Sequence, residues 1–398
     1  MAAILMVGLL CQTALAQPPR KKVVKKPYVE VPPAEKVFNP YAEVDTKALQ
    51  LPDSMASSTS SIASYITSHF TTQENRARAI FVWLATHIRY DIEKMYAINF
   101  KKDNGETIAK ALQDRKGICE DYALLFQDIC TKAGIPCYEI GGYTRQNGHT
   151  DYLTHAWNAA FIDTAWYMFD ATWASGHEIN GKYNHHLNEG FFKIPPRAFI
   201  ATHMPFDPLW QFLHSPVTAN DFYSNNTAEK QTGGYFNFQD SIKLHEKLDI
   251  PHQLNAEARR IVANGVKNSI LIARLQDLTL EELRLVQNEK IQLYNTANTD
   301  YNRAINAFNE FIAYRNKHFL PQKTDAEIQA MLTGAASSLQ QTKTKLAAIK
   351  EPDVNMEASL KEYSKTISEF EKQLKEQQDW LLLYFSKNKL GRKLMTGW

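Results

Sequence analysis

The sequence predicts an α+β core followed by an all-α C-terminal region, and three observations carry that reading. Between residues 57 and 133 apolar positions recur every three or four residues, the spacing of an amphipathic helix. After Gly134 that spacing gives way to short β-like runs at 137–143, 156–162 and 166–169. From about residue 239 onward the β signal all but vanishes and long helical patterns replace it. A chain of 398 residues is expected to hold two domains plus a tail, since single cores seldom grow past about 250–300 residues.

Residues 1–16 are apolar and uncharged, and Ala14-Leu15-Ala16 precedes Gln17 in the small-x-small pattern of a secretory signal peptide. The usual positive start is missing. Cys11 follows Leu10 where a lipoprotein signal wants a small residue, so lipidation is not expected. No later segment is long and apolar enough to span a bilayer. The expectation is an exported, periplasmic or secreted protein with no transmembrane span in the mature chain. A Pro- and Lys-rich linker at 17–37 follows, with basic residues at Arg20, Lys21, Lys22, Lys25 and Lys26.

The folded core is expected at 38–222. Ile62, Tyr65, Ile66 and Phe70 mark one helix, and Ala77, Ile80, Phe81, Leu84 and Ile88 a stronger one. Ile118, Tyr122, Leu125, Ile129 and Ala133 mark a third, stopped by Gly134 and by Ile135-Pro136. Asp163-Thr164, between the second and third β-like runs, reads as a hairpin turn. A polar linker at 223–238 leads to a helical, coiled-coil-like bundle at 239–398. Thr279-Leu280-Glu281-Glu282 and Thr324-Asp325-Ala326-Glu327 both fit a capping box. The first is expected to open a helix through Leu283, Leu293, Tyr301 and Ile312. The last helix shows Leu360, Tyr363, Ile367, Phe370, Leu374 and Leu381 in a seam interrupted by Gln377. Antiparallel packing of long helices is expected there, with the stripes serving as packing faces.

A net charge of +2 argues against nucleic acid as a partner. Removal of Cys11 with the leader would leave Cys119, Cys130 and Cys137, an odd number, so at least one thiol stays free or pairs between chains. Pairing of Cys130 with Cys137 would spare Cys119. No Cys-x-x-Cys spacing or matching histidine pair completes a metal site, His185-His186 read as surface residues, and no EF-hand loop is present. Neither a metal nor an organic cofactor is expected.

The chemistry lies in three words: Gly117-Ile118-Cys119-Glu120-Asp121-Tyr122-Ala123, His155-Ala156-Trp157-Asn158 and Asp170-Ala171-Thr172-Trp173. A thiol nucleophile needs a base, and the base needs a group to orient it. Cys119, His155 and Asp170 fit those roles. Cys119 falls in the first turn of its helix, where free amides and the positive dipole end favour a thiolate; Glu120 and Asp121 oppose it. If the turn at Asp163-Thr164 has two or four loop residues, His155 and Asp170 share a face as diagonal neighbours. A three-residue loop would separate them.

These words, with Ile88-Arg89-Tyr90-Asp91 before them, resemble the core of the transglutaminase-like superfamily, whose fold is related to the papain-like cysteine proteases. Phe191-Phe192-Lys193-Ile194-Pro195-Pro196 and the stretch from His203-Met204-Pro205 to Leu213 resemble the end of that core in bacterial members. The resemblance implies attack of Cys119 on a carboxamide or peptide carbonyl, with His155 as base and Asp170 as orienting group. The acyl thioester would pass to water or to an amine, hydrolysis being slightly favoured. The Cys119 amide, Tyr90 and Trp83 are candidates for the oxyanion hole, and Trp157 and Trp173 for the walls of the site. The implied partner is a protein or peptide substrate. The alternative is a non-catalytic platform whose C-terminal helices bind an envelope or extracellular protein.

Overall fold

The computed structural model describes residues 38–95, 104–179, 181–227 and 235–397. The expected leader at 1–16 and linker at 17–37 lie outside these residues. Glu43–Trp398 form one compact unit, and the elements below belong to it.

Helices α1 (Thr59–His69) and α2 (Gln73–His87) both begin at a hydroxyl cap. Ser58 accepts the Ser61 N–H, and Thr72 that of Asn75. From Ala77 to Ala85 every residue of α2 is buried, so this helix runs through the core rather than along its surface. Helix α3 (Asn104–Asp114) leads to α4 (Cys119–Lys132), which packs on α1 and α2. Gly134, at φ 80°, ends that helix and turns the chain into the sheet.

Strands β1 (Cys137–Gln146), β2 (His149–Ile162) and β3 (Ala165–Phe169) pair antiparallel. The short helix α5 (Ala171–Ser175) follows, then a separate hairpin of β4 (Gly176–Ile179) and β5 (Lys182–His185). Strand β6 (His203–Pro205) returns to the free edge of β1, giving the order β3-β2-β1-β6. Alternation along β2 sends Asn158 and Ala160 toward α4 and Trp157 and Ala159 to the opposite face. Asn158 Nδ2 donates to the Ala123 carbonyl at 2.9 Å, tying α4 to the sheet. The opposite face packs Ile140, Trp157, Ala159 and Met168 against Phe199, Leu209 and Phe212.

Helix α6 (Phe238–His245) adds Phe238 and Ile242 to that second layer. Helices α7 (Ile250–Asn264) and α8 (Ser269–Asn316) then bury Ile261, Ile270, Leu271 and Leu278 against Tyr143, Met204 and Phe222. Thr279 does not open a helix. The α8 cap is Asn268, which accepts the Leu271 N–H at 2.8 Å, while the Thr279 hydroxyl donates to the Leu275 carbonyl inside the helix. A capping word acts only where amides are free, and the buried stripe had already started at Ile270.

Thr324 does cap: it accepts the Glu327 N–H at 3.2 Å and Glu327 answers on the Thr324 N–H at 2.7 Å, opening α9 (Asp325–Ala348). Helix α10 (Val354–Phe385) completes an up-down-up arrangement. Gln287 meets Asp353 near one end and Arg315 meets Gln377 near the other, so α8 and α10 run parallel. Between them α9 runs back, antiparallel to both, and Lys345 reaches Asp300. The interruption at Gln377 is a paired contact, since its carbonyl accepts from Arg315, whose guanidinium lies 3.7 Å above the Trp380 ring. Among the described residues no helix is long and apolar enough to cross a membrane.

Candidate active site

Cys119 is the first residue of α4, and its approach is held by two neighbours. The Ile118 N–H donates to Asp121 Oδ2 at 2.7 Å, so Asp121 serves as a cap on the helix start. A Cβ on Gly117 would lie 2.6 Å from the Asp121 Cβ, which only glycine avoids. Cys119 is partly exposed, and its side chain is close enough to His155 to favour the charged imidazole. Cys119, Cys130 and Cys137 are all free thiols, and the last two are buried next to each other.

The turn between β2 and β3 has two loop residues. Ile162 pairs with Ala165 and Asn158 with Phe169, leaving Asp163, at φ 55°, and Thr164 to reverse the chain. That register brings Asp170, one step beyond the strand, onto the His155 face. His155 Nε2 and Asp170 Oδ2 are 2.7 Å apart, with Asp170 wholly buried. Asp170 also caps α5, its Oδ1 accepting the Trp173 N–H at 2.9 Å. A third group meets it that sequence reasoning did not single out: His203 Nε2 lies 3.1 Å from the same Oδ2.

The other named residues separate. Tyr90 and Trp173 line a cleft of about 400 Å³ together with His155, Tyr183, His186 and Phe191. Trp83 lies wholly buried, stacked on His87 and covered by the Arg115 guanidinium, and is not among the cleft residues. Trp157 is buried beneath the site with its edge against His203. Its ring needs Gly142, where a Cβ would come within 2.4 Å of the indole and 2.2 Å of the Met204 carbonyl.

Residues 60–171 match the transglutaminase-like superfamily. The chain carries a transglutaminase-like domain. Kyphoscoliosis peptidase of Homo sapiens is 33% identical over 162 residues, which are 39% of this chain and 24% of that protein. Hillarin of Drosophila melanogaster is 25% identical over 220 residues, 49% of this chain and 26% of its own. The chain thus spans about a quarter of the length of these curated relatives. A solved structure of a TGase covers 36% of each chain at 18% identity, with a TM-score of 0.23.

The buried groups around Asp170 set one another's charge. Burial works against a cation on His155, but the charge and hydrogen bond of Asp170, with the Cys119 side chain, outweigh it and push the imidazole up to about 10. Burial likewise opposes the Asp170 anion, yet His155 and then His203 hold its carboxyl well below the usual range. His203 is pushed down to about 4 by burial, against the pull of Asp170. The resting arrangement is therefore an imidazolium at His155, a carboxylate at Asp170 and a neutral ring at His203. The polar atoms of these three residues lie within 4.8 Å of one another, the spacing of a metal site. Two N–H donors already account for Oδ2, however, and all three side chains are buried, so hydrogen bonding explains the cluster.

Proposed function

We propose that this chain is a thiol-dependent acyl-transfer enzyme acting on protein or peptide amides through Cys119, His155 and Asp170. The observation that carries the reading is the buried 2.7 Å His155–Asp170 contact, on an imidazole whose cation the Cys119 side chain also favours. A cysteine used only for packing needs neither an imidazole nor a buried anion behind it.

In the proposed cycle the thiol proton already rests on His155, and the Cys119 sulfur adds to the carbonyl carbon. The C–N bond then breaks as His155 returns that proton to the nitrogen, releasing an amine or ammonia and leaving a thioester. Water or a second amine adds to the thioester, gives its proton to His155 and expels the Cys119 sulfur as its anion, restoring the imidazolium. Asp170 holds the ring in one orientation and stabilises its cation throughout. The Cys119 amide, in the first turn of α4, is the candidate oxyanion donor, with Tyr90 facing the same cleft as His155. A relative named as a peptidase favours water as the acceptor.

The test is to incubate the full chain with glutamine-containing peptides, with and without a labelled primary amine. Amine release or label incorporation that disappears in Cys119→Ala supports the reading. Equal traces for wild type and variant would overturn it and favour the platform reading, in which partner binding survives loss of Cys119.

A further inference from the structure

The proposed cycle leaves one polar group at its centre unused. His203 is wholly buried, comes from the far strand of the sheet and meets Asp170 at the same oxygen that His155 uses. Its tautomer follows from its two partners. Thr202 Oγ1 lies 2.8 Å from His203 Nδ1. Because Asp170 only accepts, Nε2 must carry the ring proton, and in a neutral ring Nδ1 then accepts the Thr202 hydroxyl. The ring stacks on Phe199 at 3.9 Å, with Trp173 at 4.6 Å and Trp157 at 5.2 Å. The titratable groups acting on it are Asp170, His155 and Asp151, and Asp151 is itself bonded to Thr144. An aromatic box of this kind disfavours a second cation while holding the donor in place.

We infer that His203 is a positioning residue for the catalytic pair: its Nε2–H draws charge from Asp170 Oδ2 and so limits how firmly that carboxylate holds the His155 imidazolium. The consequence falls on the proton return. An imidazolium held too tightly is a poor acid toward the leaving amine, whereas one whose counter-ion is shared gives its proton up more readily. The Trp173 N–H on Oδ1 and His155 on Oδ2 already fix the plane of the carboxylate, so the distinctive contribution of His203 is to its charge. This inference rests on the acyl-transfer reading for its consequence, but its physical core is a property of His155 that can be read without turnover.

The experiment follows the ring nitrogens of the full chain by 15N NMR against pH, in wild type, His203→Leu and His203→Gln. Glutamine keeps an amide donor close to the position of Nε2; leucine removes it. His155 is expected to lose its proton about one unit higher in His203→Leu and at the wild-type pH in His203→Gln. A folded leucine variant whose His155 titrates as in wild type, or at lower pH, would overturn the inference, because a merely structural histidine would weaken the fold without moving that titration. Should the leucine variant not fold, the wild-type spectrum decides. A neutral ring protonated at Nε2 upholds the inference, and an Nδ1-protonated or cationic His203 at neutral pH overturns it. Absence of Cys119-dependent turnover in the amide assay would overturn the enzyme reading alone, since the His155 titration is measured independently.

Discussion

Asp170, at the end of a sheet strand, and Asp300, in the long-helix bundle, are both buried, and the two are stabilised in opposite ways. Asp300, in the bundle, faces Lys345 at 2.6 Å and Arg303 at 3.0 Å, both reaching in from partly exposed positions. Its partners are charged at any ordinary pH, so the cluster is a fixed electrostatic clamp. Asp170 is wholly buried and faces two imidazoles, one of which also feels the Cys119 side chain. Its counter-charge exists only while His155 holds a proton. A buried anion whose cation can come and go is what proton transfer requires, and the bundle has no use for it.

Exchanging each aspartate for asparagine breaks the comparison most sharply. Asp170→Asn is expected to lower acyl transfer by roughly ten-thousandfold, because an amide cannot hold the imidazole in the working tautomer. Asp300→Asn should leave turnover unchanged and cost about 1 kcal/mol of stability, since its partners return to water. Steady-state kinetics and urea melts of both variants read the contrast.

The two histidines around Asp170 make stability depend on pH on both sides of neutrality. His155 is raised in the folded state to about 10, so its contribution is full below an unfolded value near 6.5 and fades as pH climbs toward 10. His203 is depressed to about 4, so the unfolded chain binds more protons between about 4 and 6.5, and stability falls as pH drops through that window. Their contributions to the urea midpoint should therefore decline on both sides of neutrality, with Glu139, raised to about 7 by burial, opposing the acid-side loss. In His203→Gln the decline on the acid side should be shallower.

Gly117→Ala probes how the nucleophile is presented. The added methyl meets Asp121, so a loss of about 1–3 kcal/mol is expected, together with slower alkylation of Cys119. The smallest contrast lies within the helical region. Thr324→Ala should cost about 1 kcal/mol, the value of a lost cap. Thr279→Ala should change stability by no more than about 0.5 kcal/mol, because Thr279 sits mid-helix.

That last pair shows where the sequence was readable. The helix starting at Cys119, the two-residue turn at Asp163-Thr164 and the meeting of His155 with Asp170 follow from local spacing and strand register. Thr279 misled because a capping word looks the same whether or not the amides behind it are free. The hairpin at 176–185 was hidden by a His-, Asn- and Gly-containing stretch that reads as loop. His203 escaped for a different reason. Strand β6 is three residues long and pairs with β1 across some sixty residues, so no local period announces it. Its one signal was the His203-Met204-Pro205 word, which marked the end of the core rather than its chemistry.

The most direct test of the central claim compares alkylation of Cys119 by anionic iodoacetate and by neutral iodoacetamide, in wild type and in His155→Ala. An imidazolium beside the thiol attracts the anionic reagent. The ratio of the two rates should stay high from neutral pH until His155 loses its proton near pH 10, and should collapse in the variant. A wild-type ratio equal to that of His155→Ala at every pH would show that no charged imidazole serves Cys119, and would contradict the account.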